Sequence, residues 1–322
     1  MRKWLPLFVQ SFVSVVLLVW IFWEEDFRMR TWQVLTAGHL GWLTAGFLVA
    51  GVGNFLGAVR WGIFLRMLRI PLTPWEVFRL SFVGLFFNNL LIGAVGGDAI
   101  KVIWLVAKGH QRTAALLSVI MDRMSGFGAL ILCSLVFMLW RLDWLMQSPV
   151  VGGLMKAVFL YLFAAAGLMA FSFIMSARGL THRLPAGFPG RKLIIEFTEA
   201  YFRFVSSWRQ TLLASLLSVV MLLAYFLTFY CSARAFGLEV PMGEFFAFMP
   251  AVDIISALPI SLGGLGIREQ LFATVLGELW KAPAAQAVSI SLGGASLGLL
   301  WGLFGLALLP GYHQAAAREV RA

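Results

Sequence analysis

The chain has 322 residues, of which 61% are hydrophobic and only 12% are charged. Soluble globular domains carry roughly 25% charged residues, so this composition excludes an ordinary soluble domain and indicates a protein that lies largely within a membrane. The formal net charge of +10 does not imply nucleic acid as a partner, because a basic excess in a membrane protein reflects its orientation and the anionic headgroups around it.

The hydrophobic runs predict an all-α polytopic membrane protein with about six full spans and two interrupted regions. A run of about 20 mostly apolar residues is long enough to cross the hydrocarbon core. In chain order, the full spans are predicted at 4–23, 39–59, 114–140, 150–176, 211–235 and 284–309. The interrupted regions cover 77–108 and 244–280, and each has glycine or proline near its centre.

The first hydrophobic run follows Arg2 and Lys3 and therefore has the basic start of a signal peptide. Its length and its bulky aromatic end are atypical of a cleaved signal. We therefore interpret it as a retained first span.

The longest polar stretch covers 177–210, and apolar side chains recur at helical spacing in its second part, 194–210. This pattern favours either a helix that lies at the membrane interface or a linker helix packed on the bundle.

The distribution of charge predicts that both termini are cytoplasmic. If both interrupted regions return to the side from which they start, most of the 25 basic residues fall on the cytoplasmic side, as the positive-inside rule requires. Each half of the single membrane domain, 1–145 and 146–322, then has three crossings and one interrupted hairpin, so the halves run in opposite directions. This is the inverted-repeat plan of many transporters, with re-entrant broken helices near the midplane. The alternative is eight plain spans whose glycines allow close packing.

The two interrupted regions share a pattern of paired glycines followed by a basic residue. The first reads LIGAVGGDAIK (91–101) and the second reads LPISLGGLGIR (258–268). Glycine permits a break in the backbone, Pro259 adds a further break, and the exposed start of the following helix attracts anions. Lys101 and Arg268 strengthen the attraction for a phosphate group. The pattern therefore predicts one polar cavity that both hairpins line and that suits an anionic headgroup.

Polar residues beside the breaks are further candidates for substrate binding, since charged groups within a membrane are functional candidates by default. Asn88 and Asn89 precede the first break. Asp98 follows the first glycine pair, where a helix N-cap is an equally good interpretation. Asp253 precedes the second break, and Glu269 is the neighbour of Arg268 in the sequence.

Asp122 and Arg123 lie within the third predicted span, roughly 15 Å from its cytoplasmic end. Adjacent residues of a helix do not face each other, so each is expected to find a partner elsewhere in the bundle. A purely structural ion pair is the alternative to a functional role. Glu269 is a candidate partner for Arg123, and Arg60, near a cytoplasmic helix end, is expected to snorkel to lipid phosphates.

No arrangement of residues typical of an enzyme is present, and we predict no catalytic residue, metal site or cofactor. The four histidines are scattered, and the two cysteines, Cys133 and Cys231, lie in apolar runs, where they are expected to be inert helix residues. The stretch GGLGIRE is not a dinucleotide-binding motif, because no βαβ context surrounds it.

Three stretches in order along the chain, FFNNLLIGAVGGDAIK, SVIMDRMSG and ISALPISLGGLGIREQLF, resemble the lysylphosphatidylglycerol synthase transmembrane family. The resemblance implies the fold and lipid-translocating role of the flippase portion of that family. It carries a substrate-binding role to Asn88, Asn89, Gly96, Gly97, Asp98, Lys101, Asp122, Arg123, Pro259, Gly263, Gly264, Gly266, Arg268 and Glu269. The first motif departs from the family pattern at Gly93, where proline is usual, and at Lys101, where arginine is common. The chain ends at Ala322 without a soluble aminoacyl-transfer domain, so we expect a stand-alone member.

The leading hypothesis is therefore a lipid translocase of the bacterial inner membrane that moves an anionic or phosphate-bearing headgroup. Its expected partners are membrane lipids, namely an anionic phospholipid, a polyprenyl-phosphate-linked lipid or a hopanoid, together with enzymes of lipid or glycan synthesis. One alternative is a transporter or channel for a small soluble solute. Another is a non-catalytic membrane partner of an enzyme that makes glycolipids or polyprenyl lipids.

Overall fold

The computed structural model of the chain describes residues 5–90, 96–178, 191, 195, 206–258 and 260–309. These residues form α-helices and short connections, and no strand occurs among them. The helices are α1 (Leu5–Ile21), α2 (Glu25–Thr36), α3 (Leu40–Met67), α4 (Pro74–Leu90), α5 (Gly96–Ala107), α6 (Arg112–Trp140), α7 (Leu142–Leu145), α8 (Pro149–Ala177), α9 (Trp208–Ala235), α10 (Met242–Ser256), α11 (Ile267–Trp280) and α12 (Ala284–Ala307). The amphipathic helix predicted at 194–210 lies mostly outside the described residues.

The predicted all-α polytopic fold is confirmed. Within the described ranges, five helices, α3, α6, α8, α9 and α12, are long and apolar enough to cross a membrane. The first predicted span, 4–23, differs from the other five, because α1 has only 17 residues, the lower end of the length that crosses a bilayer. A polar turn at Glu24 separates α1 from α2, which explains why the helix ends there.

The first interrupted region forms an antiparallel hairpin of α4 and α5. Near its open end, Lys108 and Glu76 form a salt bridge, and near its tip the amide of Gly97 donates a hydrogen bond to Asn88 Oδ1 at 2.7 Å. Helices of 17 and 12 residues are about 25 and 18 Å long, which is shorter than the roughly 30 Å hydrocarbon core. The chain therefore enters and leaves the hairpin at the same end, as predicted for a re-entrant region.

The two helices of this hairpin, α4 and α5, cross each other at two glycines. Gly97 lies so close to Gly84 that a Cβ atom at Gly97 would overlap the Gly84 carbonyl group. Backbone atoms cannot move aside as a flexible side chain can, so only glycine allows this contact.

Replacing Gly97 with alanine is therefore expected to destabilise the protein by about 1–3 kcal/mol, the usual cost of overpacking. A matched control is Gly153→Ala in α8, because no atom lies within 4 Å of a Cβ at Gly153. Thermal unfolding in detergent should show a lower melting temperature for Gly97→Ala and none of this loss for Gly153→Ala. Equal melting temperatures for both variants and the parent protein would contradict the close contact.

The second interrupted region forms a corresponding hairpin of α10 and α11, with 15 and 14 residues. The rings of Phe248 and Trp280 lie 6.0 Å apart towards its open end. At its tip, a Cβ at Gly264 would lie 2.9 Å from Ser256 Cβ. This hairpin is also too short to cross the membrane twice, because its helices are about 22 and 21 Å long.

The two hairpins start from opposite ends of α6, which is about 43 Å long. The first hairpin leads directly into the N-terminus of α6 at Arg112. The open end of the second hairpin lies at the other end of α6, where Arg141 Nη2 is 3.4 Å from Glu244 Oε1 and a Cβ at Gly243 would lie 2.9 Å from Trp140. This placement fits two re-entrant hairpins of opposite direction, while the repeat boundaries at 145 and 146 stay a prediction.

Small residues bring the long helices together around the hairpins. Gly53 and Gly57 of α3 pack against Ala224 and Met221 of α9, and α3 and α9 have the most extensive contact of any helix pair described. Gly302 of α12 packs against Asn89 of the first hairpin. Close approach at small residues is typical of helix pairs in membranes, and here it holds the hairpin tip against the long helices.

Candidate functional site

A cavity of about 410 Å³ lies between the two hairpin tips. We call it the central cavity. The first tip contributes Asn88 and Asn89, and the second contributes Gly263 and Arg268. The remaining wall comes from α3, α9 and α12, with Asn54, Tyr225 and Thr228 among its polar residues and Phe229, Gly298 and Leu299 among its other residues. The two interrupted regions thus meet at one cavity, although the described part of the first glycine stretch, 96–101, does not line it.

The first tip uses its polar groups to hold its own backbone. Asn88 Oδ1 accepts the hydrogen bond of the Gly97 amide, so this amide at the start of α5 is bound within the protein. Asp98 is the third residue of α5, so it lies inside the helix and not at the N-cap position. The carboxylate of Asp98 instead accepts a 2.6 Å hydrogen bond from Arg123 Nε. Residues 91–95, including Gly93, lie outside the described residues.

The second tip depends on glycines in the left-handed region of the backbone map. The φ angles are 60° at Gly263, 79° at Gly264 and 84° at Gly266. Residues that have a Cβ atom adopt such angles only under strain. The amide of Gly266 donates a 2.6 Å hydrogen bond to Glu269 Oε2, as in a capping box. Pro259 lies outside the described residues.

Helix α1 covers the second tip. The amide of Leu262 donates a hydrogen bond to Ser14 Oγ at 2.6 Å, and Gly266 packs directly against Leu17. A side chain at position 266 would overlap Leu17, so the glycine is needed for this contact as well as for its backbone angle.

Arg268 projects into the central cavity from a fixed position. Its Nε donates to Ser291 Oγ at 3.2 Å, its Nη2 donates to Glu269 Oε1 at 3.3 Å, and its guanidinium lies 5.7 Å from the centre of the Phe229 ring. The Arg268 side chain is 12% exposed. It is the one charged side chain among the described residues that line this cavity.

Glu269 and Arg123, which the sequence left as candidate partners, do not pair with each other. Glu269 is completely buried and is bound by groups close to it, namely the Gly266 amide, the Ser291 hydroxyl at 2.8 Å and Arg268. Arg123 instead forms its ion pair with Asp98, because α6 packs beside α5. Glu269 therefore positions Arg268 and closes the start of α11.

A second and more open cavity, about 940 Å³ in volume, lies between α6, α8 and α9. We call it the lateral groove. Its polar lining consists of Arg60, Asp122, Arg123, Tyr161, Ser218, Tyr225 and Asp253, and its apolar lining includes Met124, Phe127, Leu130, Ala165, Leu168, Met169 and Leu222. It contains two arginines and two aspartates, so its charges balance.

Arg60 is the centre of a buried polar network at the edge of this groove. Its Nε donates to Asp122 Oδ1 at 2.8 Å and its Nη1 donates to Ser218 Oγ at 2.8 Å. Arg60 is only 8% exposed. The expected snorkelling of Arg60 to lipid phosphates is therefore wrong, because a carboxylate from α6 and a hydroxyl from α9 already satisfy it inside the bundle.

Lys101 does not share a cavity with Arg268, although both follow a glycine pair. The Lys101 side chain is buried, with Nζ 4.7 Å from the centre of the Trp61 ring, and it lines neither the central cavity nor the lateral groove. Its electrostatic neighbours include Asp122, Asp98 and Arg123. The expectation that both basic residues face one chamber is wrong, since the close packing of Gly97 on Gly84 turns Lys101 towards α3.

A family model described as the lysylphosphatidylglycerol synthase transmembrane region matches residues 7–306. This chain belongs to that family. It is also 29% identical, over 126 residues, to a UPF0104 membrane protein of Pyrococcus horikoshii. The matched stretch spans 38% of this chain and 36% of that relative. Membership of the synthase transmembrane-region family and the five apolar helices together identify an integral membrane protein.

In this member of the lysylphosphatidylglycerol synthase transmembrane-region family, the candidate site residues that the structure describes fall into three groups. Those that line the central cavity are Asn88, Asn89, Gly263 and Arg268. Those that line the lateral groove are Asp122, Arg123 and, outside the motifs, Asp253. Those that line neither are Gly96, Gly97, Asp98, Lys101, Gly264, Gly266 and Glu269. The last group shapes the two tips and holds the charged side chains in position.

Tyr225 is the residue that the sequence did not single out. It lines both the central cavity and the lateral groove, and its side chain interacts with both Arg268 and Asp253. Met221, one helical turn earlier, also lines both cavities. The sequence pattern that could have pointed to Tyr225 is the spacing of Ser218, Tyr225 and Thr228. This spacing places three polar side chains on one face of an apolar helix.

Proposed function

We propose that this protein is a lipid translocase that moves the headgroup of an anionic or phosphate-bearing lipid across the membrane. The observation that carries the proposal is the position of Arg268, the one cation among the described residues that line the cavity between the two broken-helix tips. Broken helices that meet within the membrane are typical of transporter substrate sites. The flippase portion of the family supports the choice of a lipid as cargo.

The lining of the central cavity favours a phosphate group. A guanidinium binds phosphate oxygens through paired hydrogen bonds, and the amides of Asn54, Asn88 and Asn89 can bind the remaining oxygens or hydroxyl groups. The volume of about 410 Å³ lies within the range of ligand pockets in proteins. It suits a headgroup, while the lipid chains stay outside among the apolar helix surfaces.

The wall at Tyr225 supports a mechanism in which access alternates between two cavities. The headgroup enters one cavity, passes Tyr225 and leaves through the other, without any change in its covalent structure. Asp253 and Arg268, which both interact with Tyr225, give the passing headgroup polar contacts there. The protein is in this proposal a transporter and not an enzyme.

The proposed setting is the bacterial inner membrane with both termini cytoplasmic, which the distribution of basic residues supports. The proposed cargo is an anionic phospholipid, a polyprenyl-phosphate-linked lipid or a hopanoid with a polar headgroup. Enzymes that make such lipids or their glycans are the proposed partners.

The proposal predicts that filling the central cavity stops transport. No atom lies within 4 Å of a Cβ at Gly298, which lines this cavity, so the side chain of Gly298→Leu starts in open space at the cavity wall. The leucine competes with the headgroup for this space, and a loss of about 1–3 kcal/mol of binding free energy corresponds to headgroup binding weakened roughly five- to 150-fold. The matched control is Gly153→Leu on the exposed side of α8, where a Cβ also meets no neighbour.

The measurement uses proteoliposomes with a fluorescent phosphatidylglycerol that an impermeant reductant bleaches from outside. The parent protein and Gly153→Leu should expose lipid from the inner leaflet, and Gly298→Leu should do so much more slowly. Transport at equal rates by all three proteins would contradict the role of the central cavity. Uptake of a soluble phosphate ester without lipid movement would instead identify a solute transporter.

A further inference from the structure

Among the side chains of helix α8 that the structure describes, the buried apolar ones lie in the first half of the helix. They are Val151, Met155, Val158 and Leu162. From 163 to 171, no residue is buried, and Phe163, Leu168 and Phe171 are among the most exposed apolar side chains. The second half of α8 therefore forms an outer wall of the lateral groove without closing it.

The lining of the lateral groove is divided by polarity. Its polar lining includes Arg60 and Asp122, which are hydrogen-bonded to each other, and Asp253, which interacts with Tyr225. Met124, Phe127 and Leu130 of α6 and Leu168 and Met169 of α8 form an apolar lining on the α6 and α8 walls. A polar region beside an apolar one matches an amphiphile, with its headgroup inside and its hydrocarbon chain between the helices.

Arg123 lies where a lipid phosphate can meet the groove. Its side chain is 49% exposed, and Asp98 accepts a hydrogen bond from its Nε at 2.6 Å, so the side chain is held in place and still reaches the surface. A half-exposed arginine within the span is complementary to a phosphate group. The apolar walls at the same opening are complementary to a hydrocarbon chain and not to a hydrated solute.

We propose that the lateral groove binds one hydrocarbon chain of a phosphate-bearing lipid between α6 and the second half of α8, with the phosphate at Arg123. The inference rests on the proposed translocase function and adds to it a place for the chain of the cargo while its headgroup passes Tyr225. It commits to a lipid as the occupant, in preference to a helix of another copy of this protein.

Two neighbouring alanines of α8 provide a matched test. Ala165 lines the lateral groove, whereas Ala164 is exposed and lines neither described cavity. Ala165→Phe places a ring in the proposed position of the chain, and Ala164→Phe adds the same ring to the outer surface. Both substitutions are on the same turn of the same helix, so general effects on folding and insertion are matched.

The probe is phosphatidylglycerol with a photoreactive diazirine in one acyl chain, reconstituted with the full chain and mapped by mass spectrometry of the adducts. Adducts are expected on 124–130 and 165–169 in the parent protein and in Ala164→Phe, and to fall about tenfold in Ala165→Phe. Phosphatidylethanolamine with the same acyl chain, included as a second probe, should give the same adducts, because both carry the phosphate that Arg123 recognises.

The outcomes separate this inference from the translocase itself. Equal adducts in both variants would mean that lipid only surrounds the helices, and crosslinks between two protein chains at these residues would identify a second copy as the occupant; either result overturns the inference. Transport by the parent protein without these adducts also overturns it while leaving the translocase in place. Adducts in the groove without any lipid transport would support the binding site and reject the translocase.

Discussion

Replacing Arg268 with alanine is expected to reduce lipid translocation by roughly ten- to 100-fold. The reason is that Arg268 is the one charged side chain among the described residues of the central cavity, and a hydrogen bond to a charged group is worth about 1.5–3 kcal/mol. The measurement is the same fluorescent phosphatidylglycerol assay in proteoliposomes. Arg268→Lys keeps the positive charge but loses the planar paired donors, so its rate should lie between those of the parent and of Arg268→Ala.

The effect on folding must be separated from the effect on transport. Arg268→Ala leaves Glu269 buried with one partner fewer, although the Gly266 amide and the Ser291 hydroxyl still donate to it. The double variant Arg268→Ala/Glu269→Gln removes the negative charge together with the positive one, and so avoids an unpaired buried carboxylate. Transport at the parent rate by a folded Arg268→Ala protein would reject Arg268 as the headgroup ligand.

The hairpins could be predicted because their physical causes are local. Paired glycines, a proline and apolar runs too short to cross twice are all visible within 77–108 and 244–280. The structure places the breaks at these positions and gives Gly263, Gly264 and Gly266 positive φ angles. The position of Arg268 at the start of the helix after the second break follows from the same local pattern.

The partners of the charged residues could not be predicted, because they depend on contacts between distant segments. Arg60 and Asp122 are 62 positions apart, and nothing in either local stretch indicates that α3 and α6 meet there. The direction of Lys101 depends on the crossing of α4 and α5 at Gly84, so the similar spacing of the two glycine motifs wrongly suggested equivalent roles. The pattern indicates a cation after each break, but only the packing decides which cation reaches a cavity.

The division of the interior into two cavities could also not be predicted from the sequence. One chamber was expected because both motifs were assumed to face the same space. The ring of Tyr225 and the side chain of Met221 instead form the wall between the central cavity and the lateral groove. A single aromatic residue in an apolar span has many ordinary packing roles, so its position between two cavities is a property of the assembled helices alone.

Removing the Tyr225 ring is expected to join the central cavity to the lateral groove. Of the substitutions considered, this one should most strongly change the side of the membrane from which a reagent reaches the central cavity. Tyr225 is partly buried, and deleting a large aromatic side chain leaves a space that the surroundings fill only in part. In Tyr225→Ala, water and small reagents should therefore pass between the lateral groove and the central cavity. Tyr225→Phe keeps the ring and the wall but loses the hydroxyl that interacts with Arg268 and Asp253, so it should slow lipid transport without opening a path.

A cysteine at position 228 reports this opening, since Thr228 lines the central cavity. In Thr228→Cys, an impermeant thiol reagent should label the protein from one side of the membrane only. The native Cys133 and Cys231 are both buried, and the parent protein without the new cysteine measures their background. Adding Tyr225→Ala should allow labelling from both sides, whereas adding Tyr225→Phe should leave it one-sided. One-sided labelling of the Tyr225→Ala protein would show that other residues separate the cavities, and the proposed passage of the headgroup beside Tyr225 would then be wrong.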